Sequence, residues 1–265
     1  MAKLDAEFSF TGKLGNLSAY RRKGSKQVIL RQAGGPSKDK IKNDPVFEKQ
    51  RRHNMEFGGC ATGTRCIRKA MRPLQQLGSG DFTGILNKMN RSLLVLDTTS
   101  EFGKRNIYFS RSPKLYEGFQ LNDTNSFDSI VRNPLEYKMN KDTLSAEIIF
   151  PALKPGINFF VPPGNHPLYS FIVTIGILPD LVYGKEKYQP LSVPRSGIAQ
   201  SAWFPVRKGS LSFSLLPDLA SSLTEAPVSP FTLMLSAGIC FGTIGINNEI
   251  EQVKKTGAAK IVGME

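Results

Sequence analysis

Phe231-Thr232-Leu233-Met234-Leu235-Ser236-Ala237-Gly238-Ile239-Cys240-Phe241 is the stretch that decides the fold. It lies within residues 227–248, which carry no charge, and an uncharged run of that length first suggests a membrane-spanning helix. Pro227, Pro230, Gly238, Gly242 and Gly245 punctuate it. Phe231, Leu233, Leu235, Ala237, Ile239 and Phe241 fall on one side, with Thr232, Ser236, Gly238 and Gly242 among those opposite. A period of two is a strand with one apolar face, so no membrane span is expected.

The same alternation recurs upstream. Leu144, Ala146, Ile148 and Phe150 alternate with Ser145 and Glu147; Tyr169, Phe171, Val173, Ile175 and Ile177 alternate with Ser170, Thr174 and Gly176; Leu211, Phe213 and Leu215 alternate with serines. Each set is expected to enter one core. Asn247-Asn248 and Thr256-Gly257 read as turns around a last hairpin. Strands separated by Pro and Gly turns predict an antiparallel β-sandwich-like domain over 101–265.

Residues 36–100 read as helical. Asp44-Pro45 is a cap followed by a proline at the first helical position. Phe47, Met55 and Phe57, then Cys66, Ile67, Ala70, Met71 and Leu74, give an approximate stripe, with Gly58-Gly59 and Gly63 across it. Each glycine costs a helix about 1 kcal/mol against alanine, so either the helix breaks there or something packs closely. Pro73 ends or kinks it. Asp81 caps a cleaner helix on Phe82, Ile85, Leu86, Met89, Leu93 and Leu96.

Residues 1–35 read as a basic β-hairpin arm: one strand through Phe8 and Phe10 to Tyr20, bent at its glycines, a tip at Gly24-Ser25, and a return strand at 27–31. Its apolar face is taken as Phe8, Phe10 and Leu30. The whole is an α+β, mainly β, protein.

The 265 residues carry a net charge of +13, placed unevenly. Residues 1–77 hold 17 Lys or Arg against 6 Asp or Glu. A basic field so concentrated favours polyanions: nucleic acid, acidic protein surfaces or anionic lipid. Two groups carry it. Arg21, Arg22, Lys23, Lys26 and Arg31 stand beside Tyr20 on the hairpin, where cations can track phosphates and a ring can stack on a base; the same charges also blunt a strand edge. Arg65, Arg68, Lys69 and Arg72 have helical spacing and extend such a patch, or form the polar face of their helix.

Catalytic patterns are missing. The two histidines, His53 and His166, make no metal motif; His166 lies in a rigid proline turn and His53 beside Arg51 and Arg52 on a solvated helix face. Residues 58–65 resemble a phosphate loop but lack its lysine and follow a helix. There is no G-x-S-x-G elbow. Three cysteines, Cys60, Cys66 and Cys240, without C-x-x-C, read as unpaired buried thiols. No enzyme activity, metal, cofactor or small-molecule substrate is expected. Asp5 and Glu7 stand where a signal peptide would be apolar, so synthesis in the cytoplasm is expected.

Phe10-Thr11-Gly12-Lys13-Leu14-Gly15-Asn16-Leu17-Ser18-Ala19-Tyr20, the return strand from Arg31 to Gly35, and Phe47-Glu48-Lys49-Gln50-Arg51 with Glu56-Phe57-Gly58 resemble a group of uncharacterised Bacteroidota proteins described as domains of unknown function. Gly238-Ile239-Cys240-Phe241-Gly242 and Asn247-Asn248-Glu249-Ile250 extend the resemblance to the other end. It brings no known active site, so no residue role follows. It implies a bacterial or phage source and a non-enzymatic default. The expected function is that of a structural or interaction protein in a larger assembly, a virion or prophage component incorporated in a particle being one version. Its expected partners are further copies of itself or other assembly proteins. The alternative is a nucleic-acid-binding protein using the basic N-terminal third. A third reading is an enzyme or carbohydrate-binding module whose site exists only in three dimensions.

Overall fold

The computed structural model describes residues 2–4, 10–22, 24–32, 34–78, 82–223, 226–245, 247 and 249–265. Internal contacts divide the chain into two units, residues 1–51 and 52–265. In the first, β1 (Ala2–Leu4), β2 (Gly12–Leu14), β3 (Leu17–Arg21) and β4 (Val28–Gln32) form an antiparallel sheet in the order β1-β4-β3-β2. The β3–β4 hairpin turns around Gly24-Ser25 as expected. The strand leading into it is not one bent strand. It folds back at Gly15-Asn16, where Gly15 has φ +55°, a left-handed conformation that favours glycine. Phe8 lies outside the described residues, Phe10 and Leu30 are half-buried, and the buried side chains are Ala19 and Val28. α1 (Lys38–Asn43) follows, capped by Ser37. The Asp44 carboxylate accepts from Val46 N at 3.0 Å, as the Asp-Pro pair predicts.

The second unit contains most of α2 (Glu48–Ala70), then α3 (Thr83–Val95), α4 (Phe127–Ile130), β5 (Glu136–Asn140), β6 (Ser145–Phe150), β7 (Leu168–Pro179), β8 (Leu181–Gly184), β9 (Lys187–Pro190), β10 (Ser196–Gln200), β11 (Phe204–Pro205), β12 (Phe213–Leu215), β13 (Phe231–Ile244) and β14 (Ile250–Met264). The deciding stretch is the middle of β13, which pairs β7 on one side and β14 on the other. The central sheet runs β10-β7-β13-β14, and a second sheet runs β12-β6-β5. Strands do not run from the start of the domain expected over 101–265. Residues 101–133 are turns and short helices, including 3-10 turns at Phe109–Arg111 and Pro113–Tyr116.

Alternation in β7 and β13 separates two cores. Phe171, Val173, Ile175, Ile177, Leu233, Leu235, Ile239 and Phe241 pack with Ile148 and Phe150 of β6; the Phe150 and Phe171 ring centres are 4.2 Å apart. Ile172, Leu178, Met234 and Cys240 point the other way, into a core with Ile67, Ala70, Met71, Leu74 and Leu77 of the helical layer. The polar side of the alternation is therefore also buried: Ser170, Thr174, Thr232 and Ser236 have no exposure. Small residues let the helices approach. A Cβ on Gly176 would lie 2.6 Å from the Ala70 Cβ, and one on Gly238 2.6 Å from a Leu77 methyl.

Other readings need correction. Leu211 precedes β12 and is 85% exposed, whereas Phe213 and Leu215, half-buried on this edge strand, pack against the core as expected. Thr256-Gly257 is no turn. It sits within β14 at an irregularity in the pairing with β13, next to Lys255 at φ +65°. α2 runs unbroken through its three glycines. The cap position Asp81 lies outside the described residues. His53 is half-buried and meets Phe102 edge-on, with ring centres 4.8 Å apart.

Candidate polyanion-binding surface

α2 and α3 lie antiparallel, and their contacts set the site. Asn90 of α3 is buried; its Nδ2 donates to Cys60 O at 2.8 Å and Thr64 Oγ1 at 2.9 Å, and its Oδ1 accepts from Tyr116 Oη at 2.5 Å. Thr64 in turn donates to Asn87 Oδ1 at 2.6 Å. The α2 glycines make this close approach possible. A Cβ on Gly63 would stand 2.9 Å from Asn90 Nδ2, and one on Gly59 2.8 Å from the Tyr188 ring.

Residues 52–97 hold seven Lys or Arg and three acids, Glu56, Asp81 and Asp97. Glu56 has no side-chain exposure. Its two oxygens take Arg105 Nε at 2.7 Å and Nη2 at 2.8 Å, Arg91 Nη1 at 2.8 Å and Gly103 N at 3.0 Å. Burial pushes its pKa up, but the Arg105 and Gly103 hydrogen bonds and the two guanidinium charges outweigh it, and the carboxyl lies below its ordinary value. Asp97 is 2% exposed and accepts from the backbone of Thr99, Ser100 and Asn106. Both carboxylates are thus turned inward, and Asp81 lies outside the described residues.

Arg65, Arg68, Lys69 and Arg72, the candidates of the second group, come together on the outer side. They line a groove of about 370 Å³ with Gln75 and Thr83, and no acidic residue among the described residues lines it. Arg65 and Lys69 also border a second groove of about 490 Å³ containing Lys187 and Gln189 of β9. Arg68 is held in place: Nε donates to Gln75 Oε1 at 2.9 Å, Nη1 donates to Thr83 Oγ1 at 3.1 Å, and its guanidinium lies 5.5 Å from the Phe82 ring centre. Both acceptors are neutral, so neither compensates its charge. Among the described residues, two of its five N–H groups are engaged. None of these four cations has a carboxylate among the described residues within ion-pair distance.

The hairpin candidates are distributed differently. Register places Lys13, Ser18, Tyr20 and Arg31 on one face of the first unit's sheet and Arg21 on the other, while Arg22 and Lys26 are exposed in the turn. Arg31 lies 5.6 Å from the Tyr20 ring centre. Lys23 is outside the described residues. Gln75, Thr83 and Lys187 were not anticipated. Gln75 follows Arg68 by seven residues, a spacing that could have signalled it, whereas nothing local links Lys187 to α2.

Burial pushes all three unpaired thiols up to about 11, so they are not thiolate nucleophiles near neutral pH. Among the described residues, no three His, Cys, Asp or Glu side chains are placed to hold a metal, and no helix is long and apolar enough to cross a membrane. Comparison with protein-family models, with curated proteins and with solved structures found no match.

Proposed function

We propose that this is a non-enzymatic interaction protein whose second unit binds the phosphate backbone of a nucleic acid on the outer side of α2, α3 and the turn after α2. The observation that supports it is the separation of charge around α2. Glu56 and Asp97 are buried and satisfied, while Arg65, Arg68, Lys69 and Arg72 share one groove that no acid among the described residues lines. Basic side chains in the last turn of a helix also favour its dipole, by about 0.3–1 kcal/mol each. That effect needs neither a groove nor the anchoring of Arg68 by neutral groups.

The test is titration of labelled DNA and RNA over a range of salt. The logarithm of affinity should fall linearly with the logarithm of salt, by about 0.9 per phosphate contact on duplex DNA and about 0.7 on a single strand. Replacing Arg65, Lys69 and Arg72 together by Gln should weaken binding to all sequences and lower that slope by about 2–3. Binding that is absent, or a slope the triple variant leaves unchanged, would sink the proposal.

A second reading, assembly through the first unit, is supported by a different observation. Leu14 is 66% and Leu17 44% exposed at the hairpin that forms one edge of the four-stranded sheet, and open edges invite further strands. A virion or prophage component is one concrete form of this reading. Its test is the oligomeric state of the full chain by light scattering. A monomer at all concentrations counts against it.

A further inference from the structure

Phe57 stands on α2 with 62% of its surface exposed. One exposed phenylalanine is ordinary on a protein surface, so its exposure alone decides nothing. Its position on the helix does. At about 100° per residue, Phe57, Ala61, Thr64 and Arg68 fall within roughly 60° of arc, on one face. Ala61, Thr64 and Arg68 line the basic groove. Phe57 therefore continues the groove's own line, about 16 Å along the axis from Arg68 at roughly 1.5 Å per residue. Between ring and guanidinium on this face, Ala61 is exposed and Thr64 is buried against Asn87 and Asn90 of α3, which bound the path on one side. Beside the ring, Gly58 leaves open space, since a Cβ there would meet nothing within 4 Å.

An aromatic face in line with cations that have no carboxylate partner among the described residues matches a ligand that carries both planar rings and phosphates. A duplex presents phosphates while its base faces are stacked against one another. An unpaired strand presents both, and bases stack on aromatic side chains with little regard to sequence. Resting on the proposed nucleic-acid reading, we infer that the ligand class is single-stranded nucleic acid, laid along α2 with a base on the Phe57 ring and successive phosphates at Arg65, Arg68 and Arg72.

The experiment uses the full chain and fluorescence anisotropy with a labelled oligothymidylate and with the same strand paired to oligoadenylate. The wild type should prefer the single strand. Phe57→Ala should weaken single-strand binding about 5- to 150-fold and leave duplex binding within twofold, while Phe57→Trp restores the single-strand affinity. Arg68→Gln should weaken both ligands. Because the Phe57 side chain is exposed, Phe57→Ala should unfold at the wild-type temperature, which separates a lost contact from a lost fold. If Phe57→Ala binds the single strand as tightly as wild type, or if wild type binds the duplex at least as well, this inference is overturned and the backbone-binding reading stands. If wild type binds neither ligand, both fail.

Discussion

Glu56 shows what a single side chain can hide. In the sequence it is an acid on a basic helix, indistinguishable from a solvated one. In the structure it is sealed beneath Arg91 and Arg105, which lie 35 and 49 residues away along the chain. No local pattern reports such distances, so this part of the site was not legible. The cations at 65, 68, 69 and 72 were legible, because a helix turns a spacing of three and four into one face. Removing one partner from a buried ion pair leaves the others uncompensated. Glu56→Gln should therefore lower stability, by about 1–3 kcal/mol in urea denaturation at neutral pH, since Arg91 and Arg105 keep 39% and 17% of their side-chain surface in solvent. The sign with pH follows from the depressed pKa. The folded value lies below that of the unfolded chain, about 4.3. The stabilisation is present above that value and is lost as pH falls through the folded pKa. Glu56→Gln should remove that part of the acid sensitivity, and an unchanged acid limb of the stability curve would contradict this account.

Among the elements, α2 posed the sharpest alternative: a break at its glycines or a close neighbour. The sequence left both open because the neighbours, Tyr188, Asn90 and Leu181, come from α3 and the β8–β9 hairpin. The chain chose the close neighbour at Gly59 and Gly63 and open solvent at Gly58, so adjacent glycines should respond with opposite sign. Gly58→Ala meets nothing within 4 Å and should gain the helix preference, about 1 kcal/mol. Gly59→Ala gains the same but drives a methyl to 2.8 Å from a ring whose hydroxyl is tied to Arg105 O at 2.8 Å. Overpacking of that kind costs about 1–3 kcal/mol, so a net loss is expected. Paired urea melts of the two variants check it; a stabilised Gly59→Ala would mean Tyr188 moves freely. The β14 reading failed for a related reason. Thr256-Gly257 has the composition of a turn, but the bulge places Gly257 where a Cβ would lie 2.2 Å from Ile239 O. The glycine serves a close approach between strands rather than a reversal.

At the scale of the whole molecule, the mainly β, antiparallel character was legible in four alternating segments. The second core was not. Ser170, Thr174, Gly176, Thr232, Ser236 and Gly238 look like a solvent face, and only the helical layer, built mainly from residues 60–77, turns them into an interior one. The division of contacts at Arg51 sets an expectation for truncation. A chain lacking residues 1–35 should keep the cooperative unfolding of the second unit, monitored by near-ultraviolet circular dichroism. If the assembly reading is right, it should also lose the oligomeric state of the full chain. Outright unfolding would show that the arm is part of the core.

Because β7 and β13 are covered on both faces and paired on both edges over much of their length, their backbone amides are shielded on every side. Residues 171–177 and 233–239 are therefore expected to exchange hydrogen with solvent only when the entire unit opens. Their exchange rates then give the global free energy of the second unit in native buffer, without denaturant. The exposed turns at 185–186 and 207–208 would report local opening on the same time axis.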